Sequence, residues 1–440
     1  MALIASSSPR AVIPAAILAG FAANADGPSL DFQFAKDYSL TPRKGPTLTF
    51  TRASSKTYFD AAGTLQTQTA NLPCFDYDPV THQALGLSIH EARTNSIRNN
   101  TMVGAVAGTP GTNPTNWGIT AATEVTKTIV GTGTEDGITY IDVRFFGTVT
   151  AARTQDTYFE AYPGVAASNG QSWNLSTYIR IVAGSAANIA SFLLAGTTYN
   201  SVPAFLSTPI GQNFTPTSAA LRSQQITKSG TIADATAATI FPFIRFTTAT
   251  SGAIDITLRI GMPQLELVPT AGSTASPVIA TSGAAATRAL EVDSTTDITW
   301  LSQTAQSFVL QARKSSVTSA GVIAQLDDGT ENNRITLSVN ASSHVMLDIV
   351  VGGVSKASID GGAVTANTTF KAAFSYTVGL AALSVNGAAV VTGTPAALPT
   401  VTTYRLGENS ANASVFNGWI TADSSYQKAL SASVLAGLSV

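Results

Sequence analysis

Charge is what this chain has least of. Over 440 residues, 24 Lys+Arg stand against 26 Asp+Glu, so 11% of the chain is charged, against roughly 25% in an average globular sequence. With a net charge of −2 the chain has no basic face that would release counterions from a phosphate backbone, which excludes nucleic acid as a partner. The single cysteine, Cys74, rules out an intrachain disulfide and a cysteine-based zinc site. Three histidines, His82, His90 and His344, stand in no HxxxH or HExxH spacing, so a zinc hydrolase has no ligands. No Gly-x-Ser-x-Gly elbow is present, and the histidines have no serine or cysteine context that would make a triad. Heptads and repeats of fixed period are missing as well, which argues against a coiled coil, solenoid or propeller.

What fills the chain instead is Thr, Ser, Asn, Gly and Ala, with 44% hydrophobic residues, enough for buried cores and suited to strands and turns more than to long helices. Strand signals recur with period two. Ile141, Val143 and Phe145 alternate with Asp142 and Arg144; Trp173, Leu175, Thr177, Ile179 and Ile181 alternate with polar neighbours; Ile254, Ile256, Leu258 and Ile260 repeat the pattern. Such alternation marks sheets with one face buried and one wet. A second such run follows at Ile335, Leu337 and Val339 and at Phe370, Ala372, Phe374 and Tyr376, and Asn386-Gly387 is a type I′ turn signal. Ser431 is placed to start a short helix through Leu438.

These patterns predict an all-β chain of tandem antiparallel β-sandwich (jelly-roll) modules behind an irregular N-terminal anchor and connector. The boundaries are an anchor at 1–28, a β-rich connector at 29–100, one sandwich at 101–269, a Gly/Ser/Ala/Pro-rich linker at 270–287 and a second sandwich at 288–440. In the anchor, Arg10 precedes an apolar run, Ala11 to Ala23, ending in Ala23-Asn24-Ala25, which imitates a secretory leader. The run is too short for a membrane span of roughly 20 residues and holds Pro14. We read residues 1–28 as docking onto a partner subunit or larger assembly, or as lying on their own domain.

Catalytic pairs are scarce. Glycoside hydrolysis needs two carboxylates across a cleft, and Asp76 with Asp78, Asp327 with Asp328, or Glu135 with Asp136 read first as turn formers. No cofactor is implied. The one cation the residues could hold is Ca²⁺, on Asp327, Asp328 and Glu331, because hard cations take oxygen ligands. Sugar binding calls for aromatics that stack on ring faces. Trp173 reads as core, Trp117 in its Asn-Pro-Thr-Asn loop as more exposed, and Tyr199 with Asn200 as a loop pair; Trp117, Tyr199 and Asn200 are the candidate glycan contacts.

One stretch resembles a known family. Phe50-Thr51-Arg52-Ala53-Ser54-Ser55 through Tyr58, Gly63, Pro73-Cys74-Phe75-Asp76-Tyr77-Asp78-Pro79-Val80-Thr81, Gly86-Leu87 and Glu91-Ala92-Arg93-Thr94-Asn95 is similar to a signature of tailed-bacteriophage virion proteins of the tail-fibre, minor-tail and head-spike types. Cys74 stands where the family has Arg, and His90 where it has Glu. Downstream, Gly261 to Glu266 and Thr287-Arg288-Ala289 resemble the end of a carbohydrate-binding-module-like jelly roll in these proteins, and 306–440 a concanavalin/laminin-G-like sandwich. The resemblance implies a structural, non-enzymatic appendage on the virion exterior, a fibre or spike that is commonly a homotrimer, attached to other virion proteins through residues 1–28 and facing host-surface glycans. A purely structural decoration protein and a polysaccharide depolymerase are the alternatives. Within the signature, Arg52, Asp76, Tyr77, Asp78, Arg93 and Asn95 are expected to be structural, the arginines bonding Asp76 or backbone carbonyls. For such an appendage the scarcity of charge implies a surface with little to screen or titrate.

Overall fold

The computed structural model describes residues 27–440; apart from Gly27 and Pro28, the anchor segment lies outside the described residues. The protein is all-β, built as two antiparallel sandwiches, as the alternation predicts. The central sandwich packs a five-stranded sheet (order Gln225–Thr231, Ser172–Gly184, Gly252–Val268, Ile138–Val149, Val125–Glu135) on a six-stranded one (Phe205–Phe214, Ile189–Tyr199, Thr239–Thr248, Thr154–Tyr158, Gly118–Ile119, with Val165–Ala166 beside Thr239–Thr248). Its core holds the predicted inward residues, among them Ile141, Val143, Phe145, Leu175, Ile256 and Ile260.

The terminal sandwich is not confined to the second half of the chain. One of its sheets runs Val391–Gly393, Leu380–Val385, Thr369–Thr377, Ala305–Lys314, Gly418–Tyr426, Ala84–Ile89, Phe75–Tyr77, with Leu30–Phe32 also paired to Gly418–Tyr426. The facing sheet begins with Thr49–Thr51 and continues through Val292–Thr295, Thr403–Leu406, Gly321–Asp327, Arg334–Val339, His344–Val351 and Val354–Ala363. The segment expected to be a connector therefore supplies four strands to the terminal sandwich. It also puts Leu30, Phe32, Phe34, Leu48, Leu87 and Ile89 into that core. The physical reason is edge pairing: Gly418–Tyr426 would otherwise present an open ladder beside uncovered apolar side chains.

The expected linker is likewise packed. Ser273, Val278, Ile279 and Thr281 are buried, and Asn100 bonds this segment through Thr281 Oγ1 (3.0 Å), Thr281 O (3.1 Å), Thr281 N (2.7 Å) and Ile279 O (3.0 Å). Its small residues lie against Ser172–Gly184, where Asn174 Nδ2 donates to Ser273 O at 2.9 Å, so both faces of that strand are covered. Asn386 and Gly387 take the positive φ of a type I′ turn, 50° and 73°, and Ala432–Leu438 is the predicted terminal helix.

Candidate functional site

Successive side chains of a strand alternate between faces, and this puts a set of aromatics on the outside of the six-stranded sheet. In Thr239–Thr248, Ile240, Ile244 and Phe246 enter the core, which turns Phe241, Phe243 and Arg245 outward. Tyr158 ends a neighbouring strand, Tyr199 another, and Phe205 opens the edge strand. Tyr158 stacks on Phe241 at 4.8 Å between centroids; Tyr162 meets Tyr199 edge-on at 5.4 Å and Phe241 at 5.7 Å; Tyr199 meets Phe205 at 6.1 Å. The result is a continuous aromatic shelf whose outermost rings, Phe205 and Tyr162, are 61% and 56% exposed. A groove of about 390 Å³ runs along it, between Tyr162, Tyr199, Phe241 and Trp117.

Two carboxylates border the shelf, and both are fully engaged. Glu160 accepts from Arg98 N, Nε and Nη2 at 2.6, 3.0 and 2.8 Å. Asp156 accepts a bidentate pair from Arg245, 2.6 and 2.8 Å, and the Tyr158 hydroxyl at 2.7 Å. Burial and that bond to Asp156 push the Tyr158 phenol well above its ordinary value, so it remains a neutral donor. The Tyr199 hydroxyl has no hydrogen-bond partner among the described residues and is free to bond a ligand.

The three expected glycan contacts part company here. Tyr199 lies on the shelf. Trp117 borders the groove but is buried, not exposed: its Nε1 donates to Asn99 O at 2.6 Å and its ring meets Phe159 edge-on at 5.0 Å, because the left-handed turn at Asn116 (φ 72°) folds the loop inward. Asn200 spends its Oδ1 on Val202 N (3.1 Å) and Ala204 N (2.9 Å), closing the loop that presents Phe205. The other rings, Tyr158, Tyr162, Phe205, Phe241 and Phe243, were missed; Phe241-Pro242-Phe243 is the local signal that could have found the face.

The signature residues are bonded within the protein, and both arginines donate to backbone carbonyls, one of the two kinds of partner expected. Arg52 is fully buried and donates to Ser54 O and Thr69 O, 2.8 Å each, and to Glu291 Oε1 at 2.8 Å, not to Asp76. Glu291 also accepts from Lys56 Nζ (2.5 Å) and His90 N (2.8 Å); burial depresses the Lys56 ammonium against the opposing pull of Glu291. Asp76 accepts from Phe59 N (2.7 Å), Tyr77 N (3.0 Å) and Trp419 Nε1 (3.0 Å), and burial raises its carboxyl. Tyr77 stacks on Tyr38 at 5.7 Å, and Asp78 closes a turn on Val80 N and Thr81 N. Arg93 donates to Leu267 O and Glu91. Asn95 uses its whole amide: Nδ2 to Pro263 O and Ile279 O, Oδ1 from Ile97 N and Leu265 N.

The expected calcium ligands do not converge. Asp327 faces Arg405 Nε (2.9 Å) and Gly329 N (2.8 Å), Asp328 caps Thr330 and bonds Asn333, and Glu331 accepts from Ser410 and Gln325. Each carboxylate is committed to its own turn or ion pair, and among the described residues no group of three His, Cys, Asp or Glu could hold a metal ion.

No family model matches the chain, and no curated protein matches its sequence. Solved structures similar to it include the carbohydrate-binding module 40 of the Ruminococcus gnavus IT-sialidase bound to α2,6-sialyllactose, 16% identical over 32% of this chain and 85% of that one, with a TM-score of 0.28. Domain 4 of AbnA, a GH43 extracellular arabinanase from Geobacillus stearothermophilus, in complex with arabinotriose, is 21% identical over 34% and 73%, TM-score 0.29. A heptameric SAP-like pentraxin from Limulus polyphemus is 12% identical over 31% and 70%, TM-score 0.25.

Proposed function

We propose that this protein is a non-enzymatic appendage of a tailed-bacteriophage virion that captures host-surface glycans on the aromatic shelf of its central sandwich, with residues 1–28 as its attachment segment. The exposed shelf carries the binding part of this reading. Large aromatic rings left open together on a monomer mark a binding face, and flat rings with a free Tyr199 hydroxyl suit the apolar faces and hydroxyls of sugar rings. The engaged state of Glu160 and Asp156 supports the absence of hydrolysis, since neither is free to protonate a glycosidic oxygen. The virion part is supported by the signature at residues 50–95.

The full chain should bind host cells and a subset of a glycan array. Replacing both outer rings, Phe205→Ala with Tyr162→Ala, should weaken binding at least about tenfold, or ~1.4 kcal/mol, with thermal stability unchanged because these rings are mostly exposed. Binding that survives the double substitution rejects the shelf, and immunolabelling that finds the protein absent from purified particles rejects the virion role.

A further inference from the structure

A second recess lies where the hairpin Lys56–Phe59 and Leu65–Gln68, the strand Phe75–Tyr77 and both sandwiches meet. Its volume is about 330 Å³, inside the roughly 300–1,000 Å³ range of small-ligand sites. Aromatic rings from three parts of the chain wall it: Tyr58, Phe59, Tyr77 and Trp419.

Some of the polar groups in this recess are not used up by the protein. Tyr178 lines it from the central sandwich with its ring packed among Leu65, Ile138, Leu221, Met262 and Val278. The residue is only 3% exposed, yet its hydroxyl has no hydrogen-bond partner among the described residues. Tyr178 lines the cavity and its hydroxyl is not among the enclosed polar atoms left without a partner, so an otherwise apolar packing position leaves this hydroxyl open to the cavity. Across from it, Asp78 spends Oδ1 on two backbone amides and also accepts from the Thr81 side chain, and Arg313 stands 3.5 Å from Oδ2. That is long for a hydrogen bond. Arg313 lies over the Trp419 ring at 5.4 Å, as cross-strand neighbours do in this register.

Charge balances locally: Arg313 faces Asp78, and Arg222 on the cavity wall is paired with Asp136 at 3.0 Å. Asp76, also on the wall, is bonded to Phe59 N, Tyr77 N and Trp419 Nε1, so the cavity presents a hydroxyl, a carboxylate and a loosely paired guanidinium on aromatic walls, with no cation left without a carboxylate partner. We propose that it is a second binding site, taking one neutral sugar ring between the two sandwiches. The Tyr178 hydroxyl, Asp78 and Arg313 bond its hydroxyl groups, and Trp419 packs against its apolar face. This site stands independently of the shelf.

The test uses the full chain and the methyl glycosides of glucose, galactose, mannose, rhamnose and N-acetylglucosamine, with titration calorimetry and ligand-induced shifts in melting temperature, since a ligand of the folded state raises it by mass action. At least one glycoside should bind. Tyr178→Phe should weaken that binding about tenfold without lowering the melting temperature, because the hydroxyl has no protein partner to lose. Asp78→Asn, which keeps an oxygen for the turn, should weaken it too, and the Phe205→Ala, Tyr162→Ala shelf variant should bind as the parent does. The proposal is overturned if none of the five binds, if methyl glucuronoside alone binds, or if Tyr178→Phe and Asp78→Asn both bind normally. Binding lost in the shelf variant and kept in the other two belongs to the shelf, which removes this site and leaves the proposed function standing.

Discussion

Glu291 accepts from Arg52, Lys56 and His90 inside the protein, with side-chain exposure of 0% for Glu291 and both cations. Charge is scarce in this chain, and much of what exists is interior: Arg288, Asp293, Lys314, Asp327, Glu408 and Asp423 are at most 2% exposed. The expectation of little to screen or titrate concerned the surface; this interior is a separate matter. Burial raises Glu408 to about 8, with Arg405 opposing and Asp327 adding, and raises Asp423 to about 7 against the Tyr404 hydrogen bond. Asp293 is pushed up by burial and by Glu408 and Glu291. Raised carboxyls hold protons in the folded state that the unfolded chain releases, so their stabilisation is full below the ordinary carboxyl range and is lost as pH rises through the folded values. His90, which burial drives well below its ordinary value, has the opposite slope, but only below about pH 6.5. Burial also lowers Lys314 to about 8, which opposes the carboxyls as pH approaches that value; between about pH 6.5 and 7.5 the urea midpoint should fall as pH rises, the unfolding free energy dropping by up to ~1.4 kcal/mol per pH unit for each carboxyl. Glu408→Gln should flatten that slope; an unchanged slope would show that Glu408 ionises normally. None of this was legible from composition, which counts charges and does not place them.

At the scale of the element, the strands the sequence revealed are those long enough to display alternation, such as Ile138–Val149, Ser172–Gly184 and Gly252–Val268. Several strands are three residues long, and what the sequence concealed is their partners across the chain: Leu30 with Ser425, Asn95 with Ala286, Phe50 with Asp293. Three residues cannot display a period, and no local signal names a partner so distant; Glu291, 239 residues from Arg52, was hidden for the same reason. Gly86 of the signature shows what pairing between two neighbours demands of one residue. It lies in Ala84–Ile89, where the ladder to Phe75–Tyr77 shifts register, with φ at +98° and a position for Cβ only 2.3 Å from Ile420 O on the opposite neighbour. A side chain there would collide with backbone as well as strain its own residue. Gly86→Ala should therefore cost about 3 kcal/mol or more, read as a lower denaturant midpoint. A loss under about 1 kcal/mol would mean that this strand is not held between Phe75–Tyr77 and Gly418–Tyr426.

At the scale of the molecule, the division into successive modules was the part least legible in the sequence, because composition marks a Gly/Ser/Ala-rich segment as a linker whether or not a sheet covers it. The two ends of the described chain lie on one sheet, Leu30 beside Ser425, so the terminal sandwich closes only after residues nearly four hundred apart have met: Ser29 N donates to Ser425 O at 2.7 Å, and the Ser29 and Ser425 hydroxyls lie 3.2 Å apart, separated by 396 positions. Leu30, Phe32, Phe34, Leu48, Leu87 and Ile89 come from the N-terminal side of that core. At roughly 1.5–3 kcal/mol for each buried side chain, their removal is of the same size as the roughly 5–15 kcal/mol that holds a whole domain folded. A fragment of residues 288–440 should therefore be unfolded by near-ultraviolet circular dichroism and digest rapidly, while residues 27–440 resist protease. Supplying 27–100 as a separate polypeptide to 101–440 should restore protection of Gly418–Tyr426 amides against hydrogen exchange, because the missing strands are then available to pair. A 288–440 fragment that unfolds cooperatively on its own would show that the N-terminal strands decorate this sandwich and do not complete it, and the cavity walled by Tyr58, Tyr77 and Trp419 would then be a contact between separable units, not one built by a single core.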